Sequence, residues 1–194
     1  DSCGWASTRD SPGRICELYP DSLRAAALVG WAFGFGWCLA GFHWLYIAIN
    51  RFGGMPAPLA AISIALLAAA MGLYAAGAMA ATAWLRKRWP LPLPAAALLV
   101  LPACWAFFEL LRGWLFTGFP WVTTGYAHNA SPLAGYAPVL GVYGISWLAA
   151  ITAGAVPLLM HTFRYKAIVL VAAIWIGGFA LGRVEWTAPA GKPL

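Results

Sequence analysis

Residues 105–147 read WAFFELLRGWLFTGFPWVTTGYAHNASPLAGYAPVLGVYGISW. The stretch opens as an apolar helix that carries one carboxylate, Glu109, and one guanidinium, Arg112. From Thr117 to Gly141 it holds no Asp, Glu, Lys or Arg and is dense in aromatic residues, then an apolar helix resumes near Val142. Gly118, Pro120, Gly125, Pro132, Gly135 and Pro138 break the middle too often for one helix. Bare N–H and C=O groups are not tolerated in hydrocarbon, so this segment must lie in the interface or be covered by protein. Two long apolar helices flanking such a segment predict an all-α membrane protein, a polytopic bundle that holds an irregular aromatic loop at a membrane surface.

Composition agrees. Of 194 residues, 62% are hydrophobic and 9% charged, with a mean hydropathy of +0.75. A soluble domain carries roughly 25% charged residues, and runs of about 18 or more apolar residues read as membrane spans. The net charge of +6 does not point to nucleic acid, because Arg86-Lys87-Arg88 and Arg164/Lys166 sit at span ends, where topology-setting positives belong. A single basic face interleaved with aromatics, as nucleic-acid binding needs, is absent. Cys3, Cys16, Cys38 and Cys104 lack metal-ligand spacing, and Cys38 and Cys104 fall inside apolar runs, where cysteine acts as a small hydrophobe.

In chain order, residues 1–20 form a polar, Pro- and Gly-broken tail expected to have little structure. Asp21-Ser22 can cap the first helix. Five spans are expected at about 23–49, 59–85, 94–116, 142–160 and 165–182, together forming a transmembrane domain over 21–182. Gly30 and Gly34, continued by Gly36, Ala40 and Gly41, and later Gly178 and Gly182, give small surfaces on which helices pack closely in lipid. His43 reads as a buried or interfacial histidine, or as a weak functional flag. Gly53, Gly54, Pro56 and Pro58 make the first turn. Pro102 is expected to kink the third span. Positives at 86–88 and 164/166 predict a cytoplasmic location for those ends, and hence place Arg51, the 117–141 loop and the C-terminal end on the extracytoplasmic face.

Glu109 and Arg112 stand three apart, on neighbouring positions of one helix face. A lone charge at membrane depth costs a few kcal/mol, so either the two neutralise each other or they take part in binding a polar ligand head. Trp121, Tyr126, Tyr136 and Tyr143 suit the headgroup level, where amphipathic rings concentrate. His128 and Asn129 read as solvated loop residues. The candidate lipid or substrate contacts are Glu109, Arg112, Phe119, Pro120, Trp121, Tyr126 and Tyr143. No GxSxG, HExxH, P-loop or paired carboxylates occur, and no catalytic, cofactor or metal residue is assigned.

GWAFGFGWCLAGFHWLYIAINRFGGMP, ELLRGWLFTGFPWVTTGY, SPLAGYAPVLGVYGISW and the closing EWTAPAGKPL, taken in order over about 23–194, resemble the membrane portion of bacterial apolipoprotein N-acyltransferases. The resemblance implies transfer of an acyl chain from a glycerophospholipid, through an enzyme cysteine thioester, to the α-amine of a diacylglyceryl-cysteine lipoprotein. It implies residence in the bacterial inner membrane, and contacts with phospholipid and lipoprotein acyl chains. The family's Glu-Lys-Cys set belongs to a nitrilase-like domain that follows a linker like 183–194, and none of its members matches a residue here. The chain therefore reads as a piece of a longer protein, inactive alone. The alternative is a non-catalytic membrane scaffold, or a degenerate fragment, partnering a separate enzyme.

Overall fold

The computed structural model describes residues 22–89, 91–160 and 162–186. The expected tail and the end of the linker lie outside these residues. The described residues are all-α, and the chain divides into two units at Pro90/Leu91.

The first unit is a helical hairpin. Helix α1, Leu23–Gly41, starts at Ser22, whose Oγ accepts from the Ala25 N–H at 3.0 Å. The expected span 23–49 is interrupted at Phe42, where φ −91°, ψ 4° ends α1 and turns the ring into the core, 1% exposed. A short helix α2, His43–Ile47, and a π-helical turn, Ala48–Phe52, follow. Asn50 Nδ2 donates to the Met55 carbonyl at 2.8 Å across the bend, and Gly54 takes φ +68°, a conformation that favours glycine. Pro56 precedes α3, Ala57–Arg88, which ends on three cations that suit the negative end of a helix dipole.

The seam between α1 and α3 repeats every four residues. Ala26, Gly30, Gly34 and Cys38 are buried on α1, and Ala60, Ile64, Ala68, Gly72 and Ala76 on α3. A Cβ at Gly30 would lie 2.6 Å from the Ala75 carbonyl oxygen, and one at Gly34 2.7 Å from Ala75 Cβ. The backbones are thus as near as glycine allows, and van der Waals contact drives such association in lipid. Trp31 Nε1 donates to the Ala69 carbonyl at 3.0 Å. Gly36, expected on the same small surface, instead faces open space. It lies two residues, or about 200°, from Gly34 on a helix with 3.6 residues per turn.

The second unit is built from α4 (Leu93–Trp114), α5 (Ala137–Ala155) and α6 (Arg164–Leu181). Helix α4 contains a π-helical turn at Ala96–Val100, closed by Leu101 N–H to the Ala96 carbonyl. Pro102 follows at once. Its missing N–H and its ring disfavour a regular turn, and the wide turn absorbs the mismatch. Helix α5 is broken near its start by Gly141 at φ 64°, ψ −175°, so its regular part begins at Val142. A 3₁₀ turn, Val156–Met160, extends it. Leu133, Ile145, Leu148, Ile151 and Ile174 form the core. Gly135 packs on the Gly178 carbonyl and Gly154 on the Ala97 carbonyl, in contacts a Cβ would overlap. Counting the turns that extend α5 to Pro132–Met160, five helices (α1, α3, α4, α5 and α6) are long and apolar enough to cross a membrane.

Candidate functional site

The charge-free segment is a chain of short turns fastened from beneath. 3₁₀ turns occupy Leu115–Thr117, Thr124–His128 and Pro132–Tyr136. From the last residue of the first to the start of the second the backbone takes positive φ three times, at Thr117 (φ 71°), Gly118 (φ 84°) and Val122 (φ 62°). Positive φ is uncommon for any residue with a Cβ and least suited to β-branched ones. It persists only where the surroundings over-determine it.

Glu109 and Arg112 supply that determination. Both project from the last turns of α4, and they are 5% and 6% exposed. Glu109 Oε1 accepts from the Thr124 N–H at 2.9 Å and from the Thr124 hydroxyl at 2.7 Å. Trp105 Nε1, one turn earlier on α4, donates to Thr124 Oγ1 at 3.1 Å. Arg112 Nη2 donates to Thr123 Oγ1 at 3.3 Å and stands 3.8 Å from Glu109 Oε1. The Thr123 hydroxyl donates to the Pro120 carbonyl at 2.6 Å, and the Phe119 N–H to the Arg112 carbonyl at 2.8 Å. Gly125 then docks on α5. Its N–H donates to Ser146 Oγ at 2.8 Å, and a Cβ there would overlap the Val142 carbonyl.

This pair is more than two charges in contact. Its separation exceeds that of a direct charge-assisted hydrogen bond, about 2.7–2.9 Å, and the shorter bonds run to the loop. Glu109 Oε2 and Arg112 Nε are buried without a hydrogen-bond partner. A buried ion pair with unfilled hydrogen bonds is weak as a source of stability but costly to break on one side.

Of the sequence candidates, Glu109, Arg112, Phe119 and Pro120 come together at this fastening. Phe119 and Pro120 are half-buried. Trp121 and Tyr126 turn outward, 55% and 54% exposed. Tyr143, half-buried on α5, sets its hydroxyl against Gly113 of α4, where a Cβ would overlap it. Trp105, Thr123, Thr124 and Ser146 carry the network and were not singled out by sequence. Their one signal is that a buried carboxylate facing a charge-free loop needs donors, and the Thr123-Thr124 pair is the nearest supply. Cys38 and Cys104 are buried. His128 meets Trp175 edge to face at 6.4 Å between ring centroids, and its Nδ1 is 3.3 Å from Ser131 Oγ.

Spanning-length helices and a buried ion pair that ties down a turn-rich aromatic segment define a multi-pass membrane module. Sequence comparison assigns the module. The profile described as apolipoprotein N-acyltransferase N-terminal domain matches residues 15–155. The chain is 43% identical over 174 residues to the apolipoprotein N-acyltransferase of Ralstonia nicotianae, covering 89% of this chain and 33% of that protein. It is 41% identical over 173 residues to that of Nitrosomonas europaea (87% and 34%) and 36% identical over 179 residues to that of Coxiella burnetii (88% and 36%). The chain belongs to the apolipoprotein N-acyltransferase family and spans about a third of the length of these relatives.

Proposed function

We propose that this chain is the membrane domain of an enzyme that moves an acyl chain from a glycerophospholipid to the N-terminal amine of a diacylglyceryl-cysteine lipoprotein, in the bacterial inner membrane. The observation that carries the reading is the match to the family's N-terminal domain over residues 15–155. The geometry suits it. Phe119, Trp121 and Tyr126 form an aromatic rim at the level of lipid headgroups. Beneath it, Glu109 and Arg112 hold the backbone that presents these rings. Pro120 and Tyr143, both half-buried beside it, complete the set of candidate contacts. The rim faces the extracytoplasmic side, opposite the cations at 86–88 and 164/166, and acyl chains reach it laterally from the bilayer. Chemistry belongs to a nitrilase-like domain bearing the nucleophilic cysteine, and the 194 residues alone transfer nothing.

The test is a chimera in which this chain replaces the matching third of the Ralstonia nicotianae enzyme. Mass spectrometry of a diacylated lipopeptide should then record addition of a third chain in membranes holding the chimera. A chimera that inserts stably and leaves the lipopeptide diacylated would overturn the proposal in favour of a non-catalytic scaffold.

A further inference from the structure

At the end of the second unit remote from the aromatic segment, a polar hollow and an apolar groove adjoin. The hollow, about 440 Å³, is lined by Leu159, Met160, Thr162, Arg164 and Tyr165. The groove, about 290 Å³, lies between the end of α5 and the first half of α6 and is lined by Thr152, Ala155, Val156, Leu159, Ile168, Val171 and Ala172. Leu159 lines both, so a hollow bearing Arg164, Thr162 and Tyr165 adjoins an apolar groove. The only polar side chain in the groove, Thr152, is turned away from it. Its hydroxyl donates to the Leu148 carbonyl at 3.0 Å and accepts from Trp175 Nε1 at 3.4 Å. The hollow is cationic and rich in donors. Arg164 donates one contact to the Tyr165 hydroxyl at 3.2 Å and lies over that ring at 4.9 Å, with both side chains exposed at the mouth. Lys166 is exposed close by, and no acidic residue occupies the first turn of α6. Of the described carboxylates, Glu109 is tied to Thr124 and Glu185 lies beyond the far end of α6.

We propose that this site holds one anionic glycerophospholipid, with its phosphate on Arg164 and Thr162 and one acyl chain along Val156, Ile168, Val171 and Ala172. A guanidinium grips phosphate through a planar fork, and a groove without available polar groups accepts a hydrocarbon chain and little else. Charge selects anionic over zwitterionic headgroups. The site is distinct from the proposed acyl-transfer face. The far half of α6 carries Ile174, bonded to Tyr136, and Gly178, packed on Pro132, and α6 is about 27 Å long at 1.5 Å per residue. A lipid at Arg164 therefore belongs to the opposite leaflet and would be a resident of the fold and not the acyl donor.

Native mass spectrometry of the chain in detergent, titrated with phosphatidylglycerol or phosphatidylcholine, tests this. Phosphatidylglycerol should give one dominant adduct and phosphatidylcholine a markedly weaker one. Arg164→Gln should weaken the phosphatidylglycerol adduct about tenfold, the scale of one lost charge-assisted contact. Ala172→Trp, which fills the groove, should weaken it comparably, whereas Leu66→Trp on the exposed face of α3 should not. Unchanged binding in both site variants would overturn the proposal. Should either variant fold poorly, the wild-type chain decides by competition. Inorganic phosphate or glycerol phosphate that displaces the lipid at equal concentration would show that no acyl chain is held, and failure of both to displace it supports the site.

Discussion

Glu109 reaches fifteen residues forward to Thr124 and accepts both its N–H and its hydroxyl on a single carboxylate oxygen, at 2.9 and 2.7 Å. A helix carboxylate thereby acts as the dock for a segment with no regular structure of its own. Arg112 holds the preceding residue, Thr123, at 3.3 Å. The two charges consequently share a task as well as a balance of charge, and the consequences of removing them can be separated.

Glu109→Gln should leave the Arg112 charge buried and uncompensated, and Arg112→Leu should do the same to Glu109. Each single change is expected to lower stability by about 3–5 kcal/mol, the usual cost of breaking a buried pair on one side. The double change should cost less than the sum, with a coupling of roughly 0.5–3 kcal/mol. Thermal unfolding in detergent, followed by loss of the monodisperse peak, measures all three. Additive losses would mean that the charges act independently.

Two glycines give a matched comparison. Gly125→Ala forces a methyl into the Val142 carbonyl and should destabilise by about 1–3 kcal/mol, as overpacking does. Gly36→Ala meets open space within a helix and should be neutral or slightly stabilising, since alanine is the better helix former by about 0.8–1.0 kcal/mol. A fall in melting temperature for Gly36→Ala equal to that of Gly125→Ala would contradict the open space at Gly36.

Lys87 and Asn129 are both exposed, and the charge rule puts them on opposite sides of the membrane. Single cysteines at these positions, in a background without Cys3, Cys16, Cys38 and Cys104, should label from opposite faces with an impermeant thiol reagent. Labelling of both from the same face would reverse the proposed orientation of the aromatic rim.

Incubated with radiolabelled phospholipid, the chain should acquire no thioester on Cys38 or Cys104. Reactive cysteines sit in accessible, electropositive surroundings that favour the thiolate, and both Cys38 and Cys104 are buried. Stable label on either, removed by hydroxylamine, would place nucleophilic chemistry within the membrane domain.

The helices were legible because burial in lipid needs long apolar runs, and such runs are written contiguously. Gly30, Gly34, Gly178 and the Ser22 cap were legible for the same reason, since their meaning depends on neighbours three or four residues away. Phe42 was not: a single turn of changed backbone leaves the apolar pattern of 23–49 intact. Nor was the direction of Gly36, because a small residue looks alike on either face of a helix. The partners of Glu109 lay hidden for a third reason. Hydropathy periodicity reports which face of a helix is buried, but a contact across fifteen residues depends on how the chain reverses at Gly118 and Val122. Local pattern rules do not encode that path. The segment's irregularity was readable; the bonds that fix it were not.

The four-residue seam of α1 and α3 bears on how the protein is made. Its contacts, such as Gly30 with Ala75, Gly34 with Gly72 and Trp31 with Ala69, all lie within the first unit, and both helices precede Pro90. A hairpin of this kind can close as soon as α3 leaves the translocon, while α4 is still being synthesised. The order of assembly would then follow the order of translation, with the glycine-lined pair already in place before the ion pair and its aromatic segment enter the bilayer.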